Sequence, residues 1–518
     1  ARGLPAKPVK EAAKTVWKGV HMVTQRPNIL LLMTDQQRYD SLGCYGVRFA
    51  HTPNLDALAA DGVVFEHCYV NNPICTPSRA SMFTGKHLPE HGVYRLYDNL
   101  PEDEVLFTEH LQHLGYTTAL FGKLHVSSIR MEGDRRHPHD GFDVYEPCLE
   151  GCLQMEAPYQ AYARWLEARD PAFYERLKRE GRRLLHPPRE RHMTYWAAER
   201  TIDFLEHRAG DASKPFFCMM SIFEPHNPYE HFPEEMGALV DPSAIPAPIA
   251  ACPADGKEPA DIDRERKQSY LGAFDSFSPS DLRKMRHGYH ASVAYADLEF
   301  GRVLDALNRA GLAEDTLVIF TSDHGDMLGD HGLLVKGAYF FDPNVRVPLL
   351  MRWPREFQGG ARVPGLVQLH DLAATVLAAA GMPADEIRRW MPDARSLLEL
   401  ARGRTSQVHD EAICCYRNSG ISKKRLYWDP PIHATMIRDE RYKLNVWHTP
   451  PGANQGELYD MVRDPQEMEN LWNAPDMRDV RLRLTARLLE WEARRERVLG
   501  SRGGETRPAG MPGSGPTP

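Results

Sequence analysis

At 518 residues, 42% of them hydrophobic and 26% charged, the chain has the composition of a soluble globular protein with room for one large core and a second, smaller one. The net charge of -8 is modest for this size and the basic residues are spread rather than striped, which excludes a nucleic-acid or polybasic membrane surface and points to a small-molecule or saccharide substrate. Nine scattered cysteines without zinc-type spacing read as mostly free thiols of a reducing compartment; Cys148 and Cys152 come nearest to a pair, and the adjacent Cys414 and Cys415 cannot bridge without strain.

Residues 1–21 hold Lys7, Lys10, Lys14 and Lys18 but no apolar stretch of signal-peptide type. Met22 directly precedes the first expected strand, so 1–21 is taken as a flanking extension and a cytoplasmic location is expected. The run Asn-Ile-Leu-Leu-Leu-Met at 28–33 is too short to cross a membrane and suits a strand buried on both faces of a parallel sheet, with Thr34, Asp35 and Gln36 at its carboxyl end. The same shape recurs at 117–121 before Gly122-Lys123-Leu124-His125, at 216–223 before Glu224-Pro225-His226, and at 317–321 before Ser322-Asp323-His324-Gly325. Helical periodicity at 53–60, 104–114, 195–207 and 289–310 separates these runs. Strands alternating with helices predict an α/β fold with a mostly parallel sheet sandwiched by helices, and such sheets bind ligands outside the carboxyl ends of their strands. That rule gathers Asp35, Gln36, Lys123, His125, His226, Asp323 and His324 around one crevice.

Two segments, 150–193 and 230–285, are rich in arginine, proline or alternating charge and read as insertions that cover the crevice or pack on its rim. Beyond a boundary near 400–408 the pattern changes to short strands at 436–438, 442–446 and 457–460, a turn at Asp464-Pro465, and a helix from about Asp476 with Val480, Leu484, Leu488 and Trp491 on one face. This predicts a catalytic domain over 22–400, a small C-terminal α+β domain over 401–499 with an antiparallel sheet and one helix, and a disordered Gly- and Pro-rich tail over 500–518.

The chemistry is carried by polar residues at these strand ends. Asp35 with Gln36, and Asp323 with His324, offer carboxylate, amide and imidazole donors for one divalent cation; each pair alone also fits a capped turn. Arg79, Lys123 and Lys336 are the candidate cations for an anionic substrate. His125 and His226 are candidates for proton transfer, whereas His87, His91 and His331 read as structural.

Cys75-Thr76-Pro77-Ser78-Arg79 completes the set. Together with Pro27-Asn28-Ile29, Thr34-Asp35-Gln36, Thr84-Gly85, Gly122-Lys123-Leu124-His125, Ser322 to Asp326, Gly329-Asp330-His331-Gly332 and Gly456 to Asp460, it resembles the type I, cysteine-type sulfatases of the alkaline phosphatase superfamily over residues 27–472. The resemblance implies an alkaline-phosphatase-like fold, hydrolysis of a sulfate ester, and oxidation of Cys75 to formylglycine by a formylglycine-generating maturation enzyme. One hydroxyl of the hydrated aldehyde would attack sulfur, and the other would expel sulfate and restore the aldehyde. It further implies that Asp35, Gln36, Asp323, His324 and residue 75 hold one divalent ion, calcium before manganese or magnesium. Arg79 and His125 would orient the hydrate, while Lys123, His226 and Lys336 would contact sulfate or the leaving oxygen. Gln36 and His324 depart from the commonest ligand pattern, with Asp and Asn the usual residues, and also resemble phosphonate monoester and phosphodiester hydrolases of the same scaffold. The Lys123-x-His125 pair is typical of sulfatases.

Overall fold

The computed structural model describes residues 26–208, 213–250, 259–420, 427–448 and 456–495. The expected extension at 1–21 and tail at 500–518 lie outside the described residues. Eight strands form the main sheet: β1 Asn28–Asp35, β2 Val63–Tyr69, β3 Thr117–Gly122, β4 Val144–Pro147, β5 Phe216–Pro225, β6 Thr316–Ser322, β7 Arg346–Arg352 and β8 Ala361–Gln368. Their spatial order is β4-β3-β5-β1-β6-β7-β2-β8. The four pairings from β4 to β6 are parallel, β7 runs antiparallel to both of its neighbours, and β2 pairs β8 in parallel. The fold is therefore a mixed, mostly parallel sheet.

The apolar runs explain its centre. Ile29, Leu31 and Met33 of β1 enter one core, and Leu30 and Leu32 enter the other. A strand with both faces covered must be apolar at every position, because successive side chains point to opposite faces. Fully burying each Leu or Phe contributes roughly 1.5–3 kcal/mol, so the sheet is fixed by its interior rather than by its edges. Register then aligns the strand ends: Thr34 lies beside Ser322, and Gly122 beside Ser221. Gly122 has φ 109°, and a Cβ there would fall 1.9 Å from the Ser221 carbonyl oxygen, so only glycine lets β3 hand over to Lys123.

Helices cover both faces. Pro53–Ala60 forms as expected, while Phe107–His113 and Met193–Arg208 differ from expectation only at their ends. The fourth is longer: it runs Pro279–Arg309, starting ten residues before the expected 289, because Ser278 and Asp281 close a capping box ahead of Pro279. The 230–285 segment thus ends inside a core helix. The 150–193 segment contributes helices Ala161–Arg169 and Pro171–Glu180.

The C-terminal sheet is antiparallel, in the order β12-β11-β10-β9, from β9 Ala412–Arg417, β10 His433–Arg438, β11 Tyr442–Trp447 and β12 Gly456–Asp460. One face packs Ile413, Ile437, Leu444 and Leu458 against Leu484, Leu488 and Trp491 of the Arg478–Arg495 helix. The other face, with Tyr416, Ala434 and Met436, joins the main core. Lys443 anchors it through Asp342 (2.7 Å) and Glu467 (2.6 Å). No helix of the described residues is long and apolar enough to cross a membrane.

Candidate active site

The carboxyl ends of β1, β3, β5 and β6 converge with the start of the Cys75–Thr84 helix, which follows β2. All ten residues singled out in the sequence meet there. Asp35, Gln36, Arg79, Asp323 and His324 have no exposed surface, and Cys75, Lys123, His125 and Lys336 are buried.

Arg79 ties the carboxylates together. Its Nε donates to Asp323 Oδ2 (2.6 Å), its Nη2 lies 3.5 Å from Asp35 Oδ2, and its Nη1 donates to the Lys123 carbonyl (2.9 Å) and to Ser221 Oγ (3.0 Å). The Cys75–Thr84 helix places the guanidinium so that its donors go to the two carboxylates, the Lys123 carbonyl and the Ser221 hydroxyl. Lys123 Nζ donates to Asp35 Oδ2. Burial opposes ionisation of Asp35, yet Lys123, His226, Lys336 and Arg79 hold its carboxyl well below the usual range; for Asp323 burial is outweighed chiefly by Arg79. Both acids are therefore carboxylates.

One ligand atom each from Asp35, Asp323 and His324 falls within 4.8 Å of the others. Asp35 Oδ1 and Gln36 Oε1 are buried and have no hydrogen-bond partner among the described residues. The Gln36 amide is oriented by its nitrogen, which donates to Asp326 Oδ2 (2.5 Å) and lies 3.4 Å from Asn227 Oδ1, leaving Oε1 as its atom without a partner among the described residues. Tyr229 donates to the same Asp326 oxygen (2.7 Å). His324 Nδ1 faces the Gly325 carbonyl (2.9 Å), so the proton sits on Nδ1 and Nε2 keeps its lone pair. Orphaned oxygens beside two carboxylates and an imidazole fit a divalent cation, since leaving them unpaired in the interior would be costly.

Lys336 links this cluster to the thiol. Its Nζ lies 3.6 Å from Cys75 Sγ, 3.1 Å from His324 Nε2 and 3.0 Å from His226 Nε2. His226 Nδ1 faces the Asn227 carbonyl (2.7 Å), so its Nε2 is also the acceptor. Burial pushes the Cys75 thiol up, but Lys336 and Lys123 outweigh it and bring the group down to about 7. His125 Nε2 lies 3.1 Å from Thr76 Oγ1, which itself donates to the Leu96 carbonyl (2.8 Å). Thr76 is therefore the acceptor, and His125 Nδ1 carries a lone pair without a partner among the described residues. Burial and the nearby Lys123 and Arg79 keep His125 neutral, as burial and Lys336 do His226.

Cys75, Lys123, His125, His226 and Lys336 line a cavity of about 190 Å³ together with apolar and aromatic side chains that include Leu96, Tyr97, Phe223 and Tyr270. The two expected rim segments reach it: Glu150, Leu153 and Arg182 from the first, Glu265 and Tyr270 from the second. His87, His91 and His331 lie elsewhere, against His370, Ser81 and Phe341. Sequence reasoning missed Ser221, Asn227 and Glu132. Asn227 is adjacent to a chosen histidine; the other two carry no local signature.

Comparison with known proteins gives a consistent result. The family model described as Sulfatase matches residues 27–382, and that of the N-sulphoglucosamine sulphohydrolase C-terminal region matches 329–494. An arylsulfatase of Clostridium perfringens is 28% identical over 88% of this chain and 92% of its own, and the mouse steryl-sulfatase 31% identical over 86% and 78%. The solved phosphonate monoester hydrolase of Agrobacterium radiobacter superposes with a TM-score of 0.73 at 26% identity, covering 91% of this chain and 96% of that one.

Proposed function

The chain belongs to the sulfatase family and is a sulfuric ester hydrolase, and from that premise we propose that residue 75, carried as formylglycine, is its nucleophile beside one divalent ion held by Asp35, Gln36, Asp323 and His324. The observation that carries this reading is a pair of buried oxygens without a hydrogen-bond partner among the described residues, Asp35 Oδ1 and Gln36 Oε1, in the same cluster as a residue 75 flanked by two lysines. A formylglycine-generating enzyme supplies the modification, and calcium is the proposed ion, ahead of manganese and magnesium. When present, the aldehyde hydrate supplies the attacking oxygen and the metal supplies acidity for it and charge neutralisation for the ester.

The chain's own residues do the rest. Lys336 and Lys123 bind sulfate oxygens; both line the pocket, and both carry charge where it shifts during transfer. Arg79 holds Asp35 and Asp323 in place and ionised. His125 offers Nδ1 as a proton acceptor, and the hydrogen-bonded His226 and Lys336 hold a proton for the leaving oxygen. The substrate is a sulfate ester of a small molecule or saccharide, its alcohol lying against the apolar wall.

A second reading, phosphonate monoester or phosphodiester hydrolysis, draws support from the Agrobacterium structure and from Gln36 and His324 in the ligand set. Lys123 and His125 together in the pocket favour sulfate. Turnover of an aryl sulfate and an aryl phosphodiester by the same aldehyde-bearing preparation tests the choice. A higher kcat/KM for the sulfate is expected; a clear preference for the phosphorus ester would overturn it.

A further inference from the structure

His125 sits in an unusual backbone. Its φ is 58°, in the left-handed region that residues with a Cβ seldom occupy. That turn points successive amide N–H groups of the 125–127 segment to one side, as in the concave nests that proteins use to hold anions. Here the anion is internal. Glu132, on the Ile129–Asp134 helix, accepts from the His125 N–H (2.8 Å) through one oxygen and from the Ser127 N–H (2.9 Å) through the other. The helix is capped by Ser128, whose side chain accepts from the Met131 N–H, so the carboxylate returns to the turn from which its own helix departs. Glu132 is only 4% exposed and touches neither the metal ligands nor Cys75 in any hydrogen bond described above.

We propose that Glu132 is a positioning residue for the reaction: by filling the 125–127 nest it locks His125 in its left-handed conformation and so presents the free Nδ1 of the imidazole to the pocket. Two constraints define the imidazole, one at each end. Thr76 fixes Nε2 from the Cys75 helix, and Glu132 fixes the main chain that carries the ring. Without the carboxylate, two buried amides face no acceptor, and the strained turn has no reason to persist. The ring then leaves the position from which it can take a proton, and small displacements of a catalytic group are costly in rate. Burial pushes the Glu132 carboxyl up to about 7 against the pull of the backbone amides of Ser127, His125 and Val126, the price of placing an acid in the interior with only N–H groups for company.

The inference rests on the proposed role of His125, and the experiment separates the two. Glu132→Gln keeps the size but puts an amide nitrogen against one of the two N–H donors. It is expected to lower kcat on an aryl sulfate by roughly 100-fold, with KM changed less than about twofold and with metal and aldehyde content as in the parent. His125→Asn and the double variant His125→Asn/Glu132→Gln complete a cycle. If Glu132 acts through His125, the double variant is no slower than His125→Asn alone. Additive losses, or a Glu132→Gln enzyme of lower thermal stability and undiminished kcat per folded molecule, would overturn the proposal. Full activity in His125→Asn would instead sink the reading of the site on which it stands. Glu132→Asp, which retains two acceptor oxygens on a shorter arm, is expected to show a kcat between those of the parent and Glu132→Gln; if Glu132→Gln does not fold, Glu132→Asp takes its place in the cycle, where a loss that vanishes in the His125→Asn background would support the inference and a loss that is absent or additive would contradict it.

Discussion

Replacing Cys75 with alanine is expected to abolish sulfate release, by roughly 10⁶-fold as for loss of other enzymic nucleophiles, while leaving the fold intact. The first part follows from chemistry: Cys75 is the one thiol among the described residues that line the pocket, and Lys336 and Lys123 act on it directly. The second follows from packing. Deleting one sulfur atom at the first turn of a helix removes little buried surface, and Lys336 keeps its contacts to His226 and His324. Circular dichroism and the melting temperature should match the parent within a few degrees. Cys75→Ser separates nucleophilicity from release, because a serine oxygen can take the sulfuryl group but lacks the second hydroxyl that expels it; a single stoichiometric burst followed by no turnover is expected. Sustained turnover by purified Cys75→Ala would exclude residue 75 as the nucleophile.

Substitution of Asp323 should release the metal and, as alanine, also weaken the fold. Asp323 accepts from Arg79 at 2.6 Å and from the Gln36 N–H at 3.0 Å, and both partners are fully buried. Breaking a buried pair from one side leaves an uncompensated charge and costs about 3–5 kcal/mol. Asp323→Ala therefore combines two losses, and low activity in it says little about the metal. Asp323→Asn still deprives Arg79 of its charged partner, but it keeps an oxygen for the Gln36 N–H and the side-chain volume, so it is expected to weaken the fold less than alanine while still releasing the metal. Elemental analysis of the folded asparagine variant is the measurement, and on the parent it also identifies the ion. Parental metal content in Asp323→Asn would refute the ligand assignment.

The parts of the fold that could be read in advance share one property. β1, β3, β5 and β6 each carry a continuous apolar run and lead into polar residues, because each is covered on both faces and opens into the crevice at its carboxyl end. β7 and β8 went unread: Pro348 and Pro364 interrupt them, and proline inside a run argues against a strand. Both are tolerated at irregularities of the ladder, since the β2–β7 register shifts between Phe65 and Cys68 beside Pro348, and the β2–β8 register between Phe65 and His67 beside Pro364. β9, Ala-Ile-Cys-Cys-Tyr-Arg, is too short and too even in polarity to be told from a helix turn by period alone. The first turns of the Pro279–Arg309 helix were obscured by charged residues, although Ser278 and Asp281 carry the capping signature.

The site was more legible than the fold around it, since metal donors, cations and the Cys75 string sit at strand ends where the topology must bring them together. What escaped was support. Ser221 is indistinguishable in sequence from any strand serine, yet its Oγ accepts from Arg79. Glu132 lies seven residues from His125, and only the left-handed turn between helix and strand brings its carboxylate back. Such roles arise from tertiary closure, which local pattern does not encode.

The central claim, that residue 75 works as an aldehyde, is tested most directly by the mass of the peptide spanning Cys75 to Arg79 in protein co-expressed with a formylglycine-generating enzyme. A mass matching aldehyde in place of thiol, with sulfate release rising in proportion to the converted fraction, is the predicted result. An unmodified cysteine in protein that still turns over sulfate esters would contradict it.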